Sequence, residues 1–387
     1  SGLILGKGKN TRGYGIVIHE KMEAVTNTGI IYGDKYGLDN TASKTINKAI
    51  NYGIISGGSY GATMTVIDNP NSLGNQNLLN YGLIFKAPTS GYQNSTGDNT
   101  KHNFGKTNDV TIDEVAYTIR NVQATVDNST AITGLKSFKI KDGELYEGID
   151  YNSTDASTSG SVIGDASTSN VILNGIENTL KVVGDNSGNS LSNATINAYG
   201  TAVEFDNTSG GSLSLTNATV NGGLKEVTPP GGTTKEKVAV ILGSSGADTL
   251  VLKNTVVNGN IDMKGGKNLI EAGEGTTVNG NITTEGGDDT FTSGNNVAIN
   301  GEINLGNGKN KIEVGNKVYI NGDISTGTSK GVDFTGGSEI YLNGEVVFTD
   351  KEDTFTLGEK SVINKDIDMK DGNDTLTIGA GSIVNGK

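Results

Sequence analysis

One dipeptide recurs along the C-terminal third of this chain at an almost constant interval. Asn-Lys stands at 364, in series with Asn-Gly at 258, 279, 300, 321, 343 and 385. The successive intervals are 21, 21, 21, 22, 21 and 21 residues. A period of this length indicates one supersecondary unit that is repeated, with each unit burying the apolar face of its neighbour. The chain is therefore expected to fold as a stacked repeat.

Apolar residues fall into three columns when the repeats are aligned on the asparagine. The columns are Val257, Val278, Ile299, Ile320, Leu342, Ile363 and Val384; Ile261, Ile282, Ile303, Ile324, Val346 and Ile367; and Ile270, Phe291, Ile312, Phe334, Phe355 and Leu376. Apolar and polar residues alternate around them, which indicates strands separated by Gly, Asn and Asp turns. Three strands in 21 residues predict an all-β fold, a right-handed parallel β-helix whose apolar columns point inward.

The repeated asparagines are expected to have a structural role. Amide side chains stacked at the strand spacing of about 4.8 Å can hydrogen-bond along the stack. Asparagine also tolerates a left-handed turn, which the following glycine would complete. Lys365 replaces that glycine once, so a small distortion is predicted there.

The repeat weakens towards the N-terminus, which divides the chain into four parts. Residues 254–387 are expected to form a regular stalk, with 21 residues per rung (one circuit of the chain around the axis). Residues 171–253 are expected to continue the β-helix, with a protruding Pro-containing loop at 226–237. Residues 86–170 are interpreted as an irregular β-helix or a loop-rich insertion. Residues 1–85 are expected to form longer rungs with Tyr-bearing loops.

Composition excludes several classes of function. The chain has no Cys and 2 His, which excludes disulfide scaffolds, thiol catalysis and Cys-based zinc sites. A formal net charge of −13 disfavours nucleic acid and anionic membranes as partners. The chain lacks an apolar run of about 18 residues, so membrane insertion by this segment is not expected. We expect no cofactor and no metal.

An enzyme is the first alternative, because parallel β-helices include polysaccharide lyases and glycosidases. Glu302, Asp323, Glu345 and Asp366 form an outward column whose predicted spacing is close to the carboxylate separation in retaining glycosidases. A solvated acidic stripe that keeps the protein soluble is the favoured interpretation. The sequence shows no concentrated acid–base machinery, and we expect that the chain is not an enzyme.

Calcium binding is the second alternative. Residues 286–291 and 371–376 resemble half of the Gly-rich nonapeptide of calcium-binding β-rolls. Calcium β-rolls repeat every 9 residues so that two successive turns clasp each ion, whereas the period here is 21. The Asp and Asn residues of these turns are therefore expected to satisfy backbone N–H groups.

Candidate recognition residues lie where the repeat is interrupted. Seven of the 13 tyrosines fall in the first 92 residues, and exposed Tyr beside Asn, Ser and Gly is typical of adaptable binding surfaces. A competing interpretation is that these tyrosines close the wide rungs. The predicted ligand-binding residues are Tyr32, Tyr36, Pro229, Pro230 and Lys235.

The repeats from Asn254 onward, with Asn-Gly-[Asn/Asp/Glu]-Ile followed by Gly-rich acidic turns, resemble the passenger repeats of type V autotransporters. The Asn-x-Gly-x-Ile pattern at Asn27 and Asn51 is similar to very large fusobacterial autotransporter adhesins, which include arginine- and galactose-inhibitable coaggregation adhesins. The resemblance implies a segment of a longer passenger, exported to the outer membrane and the bacterial cell surface. Such a segment would adhere to a protein or glycan receptor on host cells or other bacteria. A polysaccharide-degrading enzyme and a calcium-stabilised rod remain the alternatives.

Overall fold

The computed structural model describes residues 2–7, 13–18, 22–40, 46–57, 60–64, 78–80, 83–86, 103–104, 108–112, 115–119, 122–123, 138–141, 144–147, 168–175, 179–182, 189–205, 208–229, 231–327 and 330–387. Within these residues all regular structure is β-strand, with no helix. The chain divides into two compact units. The first is Ser1–Ser153, Ser169–Thr179 and Thr195–Gly200; the second is Thr154–Thr168, Leu180–Ala194 and Thr201–Lys387.

Ten strands at the start of the first unit wind into a parallel solenoid. They are β1 Leu3–Gly6, β2 Tyr14–Val17, β3 Met22–Asn27, β4 Ile30–Gly33, β5 Tyr36–Asn40, β6 Ile46–Asn51, β7 Ile54–Gly57, β8 Tyr60–Met64, β9 Leu78–Asn80 and β10 Leu83–Lys86. Three parallel sheets, β1-β4-β7-β10, β2-β5-β8 and β3-β6-β9, make three strands per rung. Along the first sheet, in-register residues are 27, 24 and 29 positions apart.

The next strands pair mainly antiparallel. They are β11 Asn103–Phe104, β12 Asn108–Ile112, β13 Val115–Ile119, β14 Val122–Gln123, β15 Phe138–Lys141, β16 Glu144–Glu147 and β17 Thr168–Gly175. β12 pairs with β13, β15 with β16 and with β17, and β11 with β14, all antiparallel. β13 and β16 add one short parallel pairing. Antiparallel neighbours need only a short connection, so these strands do not require the 21-residue circuit.

The remaining strands build the regular solenoid. They are β18 Leu180–Val182, β19 Ser190–Ala198, β20 Val203–Phe205, β21 Ser212–Thr216, β22 Thr219–Asn221, β23 Glu226–Val227, β24 Glu236–Lys237, β25 Ile241–Leu242, β26 Thr249–Lys253, β27 Val256–Asn258, β28 Ile261–Asp262, β29 Leu269–Ala272, β30 Thr277–Val278, β31 Ile282–Thr283, β32 Thr290–Ser293, β33 Ala298–Ile299, β34 Ile303–Asn304, β35 Asn310–Val314, β36 Tyr319–Ile320, β37 Ile324–Ser325, β38 Val332–Gly336, β39 Tyr341–Leu342, β40 Val346–Val347, β41 Thr354–Leu357, β42 Val362–Ile363, β43 Ile367–Asp368, β44 Thr375–Ile378 and β45 Ile383–Val384.

From β26 onward each rung contributes one strand to each of three parallel faces. The faces are β26-β29-β32-β35-β38-β41-β44, β27-β30-β33-β36-β39-β42-β45 and β28-β31-β34-β37-β40-β43. The register pairs Val257 with Val278 and Phe334 with Phe355, as the sequence columns predict. The structure therefore confirms an all-β parallel β-solenoid with rungs of about 21 residues.

The core is made by the predicted columns. Phe291, Ile312 and Phe334 are 0% exposed, and the rings of Phe334 and Phe355 stack with centroids 4.8 Å apart. Removing one such side chain from water contributes about 1.5–3 kcal/mol. In the last described rung the same columns have a neighbour on one side only, which leaves Leu376 52% exposed.

A ladder of asparagine side chains runs along one corner, as predicted. Each amide Nδ2 donates to the Oδ1 of the preceding rung at 2.6–2.8 Å, through Asn221, Asn258, Asn279, Asn300, Asn321, Asn343, Asn364 and Asn385. In the first unit Asn27 and Asn51 are also paired, but there Asn27 Nδ2 donates to Asn51 Oδ1 of the following rung at 2.7 Å, and both are buried. The ladders hold the register of the short strands.

The glycines after these asparagines are needed for a different reason from the predicted one. Gly259 has a φ of +143°, but Gly280, Gly301, Gly322 and Gly344 show no positive φ. A Cβ on Gly301 would instead collide with the carbonyl of Gly280 in the rung below. The left-handed interpretation is therefore wrong for these four glycines: close stacking of successive backbones is what favours glycine there, although one rung of the column accommodates Lys365.

Left-handed residues form their own column at another corner. Asn254, Asn296, Lys317, Glu339 and Lys360 have φ between 46° and 60°, and Gly275 and Gly381 have φ of 75° and 74° at the equivalent positions. This conformation costs an L-residue roughly 1–2 kcal/mol. The fold imposes this corner whether or not the sequence supplies glycine.

Candidate binding surfaces

The two tyrosines predicted to bind a partner are half-buried and pack on other tyrosines. Tyr36 of β5 lies in register with Tyr14 of β2, and their rings stack with centroids 5.4 Å apart. The ammonium group of Lys35 lies over both rings, 4.8 Å from the Tyr36 centroid and 5.9 Å from that of Tyr14. Tyr32 of β4 packs 6.3 Å from the buried ring of Tyr199. These contacts favour packing roles for Tyr32 and Tyr36.

The predicted loop at 226–237 is an exposed β-hairpin in the second unit. β23 and β24 pair antiparallel, and the carbonyl of Pro229 accepts a hydrogen bond from the Gly232 N–H at 2.9 Å near the tip. Pro229 is half-buried and Lys235 is exposed. Pro230 lies outside the described residues. The hairpin leaves the solenoid between β22 and β25, so it extends one corner without interrupting the stacked core.

The outward acidic column forms hydrogen bonds along the solenoid. Asp323 Oδ1 accepts from the Glu345 N–H at 2.8 Å, and Asp366 Oδ1 accepts from the Lys387 N–H at 2.8 Å. In the same column Asn281 Oδ1 accepts from the Glu302 N–H at 3.0 Å. These acceptors satisfy backbone donors at a corner where the strands have ended.

The Gly-rich turns considered for calcium contain a second, buried ladder. In every rung from Asp248 to Asp374 except that of Val332, one side-chain oxygen accepts the backbone N–H of the residue one rung earlier at 2.6–3.0 Å, through Asp248, Asn268, Asp289, Asn310, Asp353 and Asp374. Asp248 and Asp353 are 0% exposed. The structure thus confirms that these side chains satisfy backbone N–H groups.

Two rungs place aspartate where a hydroxyl residue precedes it by four positions. The Ser244 N–H donates to Asp248 Oδ2 at 2.6 Å, and the Thr349 N–H donates to Asp353 Oδ2 at 2.9 Å. The two hydroxyl groups also donate to these carboxylates. A carboxylate suits these turns because it only accepts hydrogen bonds.

Two other rungs place asparagine where carbonyl groups face the side chain. Asn268 Nδ2 donates to the carbonyl of Gly265 at 3.1 Å, and Asn310 Nδ2 donates to that of Leu305 at 2.9 Å. An amide can accept from the backbone through Oδ1 and donate through Nδ2 at once. The choice between Asp and Asn therefore follows the groups that the turn presents.

Asp289 departs from this pattern. It lies between Asn268 and Asn310 in the ladder, is 1% exposed, and has no hydrogen bond to Oδ2. Burial raises the pKa of the Asp289 carboxyl, while the N–H of Asn268 opposes that shift. The hydroxyl of Thr284 forms no hydrogen bond of good geometry, but it lies close enough to Asp289 to lower the pKa of that carboxyl. Burial also raises the pKa of Asp248, against the donors from Ser244 and Gly211.

A stacked pair of tyrosines in the regular part, one exposed and one half-buried, was not predicted as a site. Tyr319 of β36 and Tyr341 of β39 are in register, and their rings stack with centroids 4.6 Å apart and planes inclined by 4°. Tyr319 is 44% exposed. The signal was present in the sequence, because both residues directly precede a core Ile or Leu and the ladder asparagine. It was missed because residues 254–387 were interpreted as stalk.

A shallow groove of about 400 Å³ lies at the corner after β26 and β29. Its lining residues are Lys253, Asn254, Glu271, Gly273, Glu274, Thr292, Ser293 and Gly294. The corner lengthens there, since one residue separates the paired Leu252 from the left-handed Asn254 and two separate Ala272 from Gly275. The groove is open, and apolar atoms make up most of its exposed lining.

Among the described residues, no group of three or more His, Cys, Asp or Glu side chains could hold a metal ion. The same part of the chain contains no helix long and apolar enough to cross a membrane. The geometry defines the second unit's regular part as a parallel β-solenoid built on asparagine and mixed Asp/Asn ladders. No protein-family model matches the chain, and no curated protein or solved structure gave a match.

Proposed function

We propose that this chain is a segment of a bacterial surface adhesin of the autotransporter type, in which the solenoid displays a recognition element to host cells or other bacteria. The fold alone serves many functions, so the proposal depends on what the surface presents. The sequence resemblance to passenger repeats supports the export route and the outer-membrane location.

The hairpin at 226–237 is the observation that carries the proposal. At the same corner of later rungs the side chains of the turn bond to the next rung, as Asp323 and Asp366 do. Lys235 and both hairpin strands are instead exposed. An exposed ribbon that the core does not require is suited to contact another surface.

The test is adhesion of the labelled chain to host epithelial cells and to partner bacteria. In one variant residues 226–237 are removed and the corner is closed with Gly-Gly. The matched control, Thr356→Ala, changes an outward residue of β41 away from the hairpin. We expect the hairpin deletion to abolish adhesion and the control to retain it, with both variants showing the parental thermal melt.

Two outcomes would contradict the proposal. Absence of adhesion of the parental chain to every surface would assign this segment no adhesive role. Release of reducing ends from a polysaccharide panel would favour the β-helical enzyme instead. Adhesion that survives the deletion would keep an adhesin but move the contact away from the hairpin.

A further inference from the structure

We infer that the Tyr319–Tyr341 stack forms a binding site for a neutral sugar ring. This site is separate from the hairpin, and it rests on the proposed function only in that a surface glycan would be the natural source of the sugar. Three features support this inference: an exposed ring face, small residues beside that face, and polar groups on both sides of it.

The outward face of β36 and β39 carries aromatic rings that the core does not need. Ile320 and Leu342 supply the buried side chains of these strands, at 0% and 1% exposure, while Tyr319 points out. Elsewhere the same outward column holds Val256, Thr277, Ala298 and Val362. Two rings in successive rungs are therefore an addition to a surface that folds without them.

One face of Tyr319 is left open by its neighbours. Tyr341 covers one face at 4.6 Å. On the other side the in-register residue is Ala298, followed by Thr277 one rung further. A methyl group cannot cover a phenol ring. We name this step, formed by Thr277, Ala298 and the open face of Tyr319, the shelf.

Amide groups line one side of the shelf. Asn300 Nδ2 donates to Asn279 Oδ1 at 2.7 Å, and Asn321 Nδ2 donates to Asn300 Oδ1 at 2.6 Å. Each amide has two N–H donors and two oxygen lone pairs, so the ladder leaves one donor and one acceptor per rung for a ligand. Paired donors and acceptors at regular spacing suit hydroxyl groups, which both donate and accept.

The charges beside the shelf favour a neutral ligand. Lys317 and Glu339, in the left-handed column, flank Tyr319 and Tyr341 on the side opposite the amides, and neither forms an ion pair with any residue that the structure describes. One positive and one negative side chain give no net attraction for an anion or a cation. An aromatic face against the apolar face of a pyranose ring, with hydroxyl groups meeting amides, fits these observations.

The test is binding of neutral mono- to tetrasaccharides of hexoses and N-acetylhexosamines, measured by saturation-transfer NMR and calorimetry. Tyr319→Val removes the aromatic face of the shelf and is expected to weaken saccharide binding about tenfold. Ala298→Leu keeps both tyrosine rings but places a larger side chain against the open face of Tyr319. We expect it to weaken saccharide binding similarly. Val362→Thr is the matched control, because Val362 lies in the same outward column on the far side of Tyr341 from the shelf, and we expect a change of less than about threefold.

The inference fails if no neutral saccharide binds at millimolar concentration. It also fails if binding is unchanged in both Tyr319→Val and Ala298→Leu while the variants melt like the parent. These outcomes are separable from the adhesin proposal. The sugar-binding proposal alone is rejected if deletion of the hairpin abolishes adhesion, Tyr319→Val does not affect adhesion, and no soluble sugar binds. If the chain adheres to no cell but binds a saccharide in a way that depends on Tyr319, the sugar-binding proposal is supported and the adhesin proposal is rejected.

Discussion

Two tyrosine stacks in this protein have the same ladder geometry and different environments. Tyr14 and Tyr36 lie two positions before Ile16 and Leu38 in paired strands, so by strand alternation they share the face of the buried Leu38. Tyr319 and Tyr341 directly precede Ile320 and Leu342, so they point to the opposite face. An offset of one residue therefore separates a tyrosine stack on the core-facing side of its strands from a stack on the outward side.

The asparagine ladders show the same difference. Asn27 and Asn51 bond to each other in the first unit while buried, whereas Asn300 bonds to Asn279 and Asn321 at the exposed corner of the second unit. Water can replace a lost hydrogen bond at the exposed corner and cannot do so in the core. The longer rungs of the first unit bury ladder amides of a kind that the 21-residue rungs expose at Asn279, Asn300 and Asn321.

The largest effect is expected from removing a buried ladder amide. Asn51→Ala removes the acceptor of Asn27 Nδ2 and the donor to the Gly53 carbonyl, both inside the core. We expect a loss of about 2–3 kcal/mol in the first unit. Asn300→Ala should cost about 0.5–1.5 kcal/mol, since its corner is exposed. Hydrogen exchange of the rungs around each site measures both, and equal losses would end the distinction between the two ladders.

The next largest effect is expected from the two tyrosine stacks, which should contribute differently to stability. Tyr36→Ala removes a half-buried ring that packs on Tyr14 and Lys35, and we expect a loss of about 1–2 kcal/mol. Tyr319→Ala should change stability by less than about 1 kcal/mol, because its stack is on the surface. Urea unfolding measures the two losses of stability, and hydrogen exchange of the rungs around each site is the second probe. A larger loss for Tyr319→Ala would show that the exposed stack supports the fold and would weaken the shelf.

The buried Asp/Asn ladder predicts a gain of stability from one substitution. Asp289→Asn supplies an amide where Asn268 and Asn310 already stand in the neighbouring rungs, and we expect about 1 kcal/mol of added stability at pH 7. Burial raises the folded-state pKa of Asp289 above the unfolded value, so its ionisation costs stability as pH rises. The variant and the parent should therefore converge as pH falls below about 4.

Asp248→Asn is the control for this prediction. Its Oδ2 accepts the Ser244 N–H at 2.6 Å, and an amide nitrogen in that place would face another donor. We expect this variant to lose about 1–3 kcal/mol at neutral pH. Thermal melts between pH 3 and pH 8 compare the two. A gain in both variants would show that only charge matters and that the turn donors do not.

The smallest effect concerns the left-handed column. Lys360 has a φ of 58° in a position where Gly275 and Gly381 occur in other rungs. Lys360→Gly should relieve that conformation and add about 0.5–1 kcal/mol, the strain released being partly offset by the freedom of glycine in the unfolded chain. Lys311→Gly in β35 is the control and should destabilise. Thermal melting of both variants decides whether the corner is strained.

Much of the solenoid could be predicted because the residues of each apolar column recur at an almost constant interval. The register of Val257 with Val278 and of Phe334 with Phe355 follows from counting 21 residues, and the asparagine ladder follows from the same count. The antiparallel pairs between Asn103 and Gly175 could not be predicted in this way, since that segment has no period. The sites were harder still, because Tyr36 and Tyr319 are the same residue type and differ in the face of the strand.

The sequence by itself determined the period, the three strands of each rung, the inward columns and the residues that stack as ladders, because these depend only on spacing along the chain. Tertiary structure decided which tyrosine is covered, why glycine follows the ladder asparagine, and which turns take Asp and which take Asn. Those outcomes depend on atoms of the neighbouring rung, such as the Gly280 carbonyl below Gly301 and the Ser244 N–H beside Asp248. The period of the sequence therefore specifies which residues are neighbours in successive rungs. Only the stacked structure specifies which donor, acceptor or clash each neighbour provides.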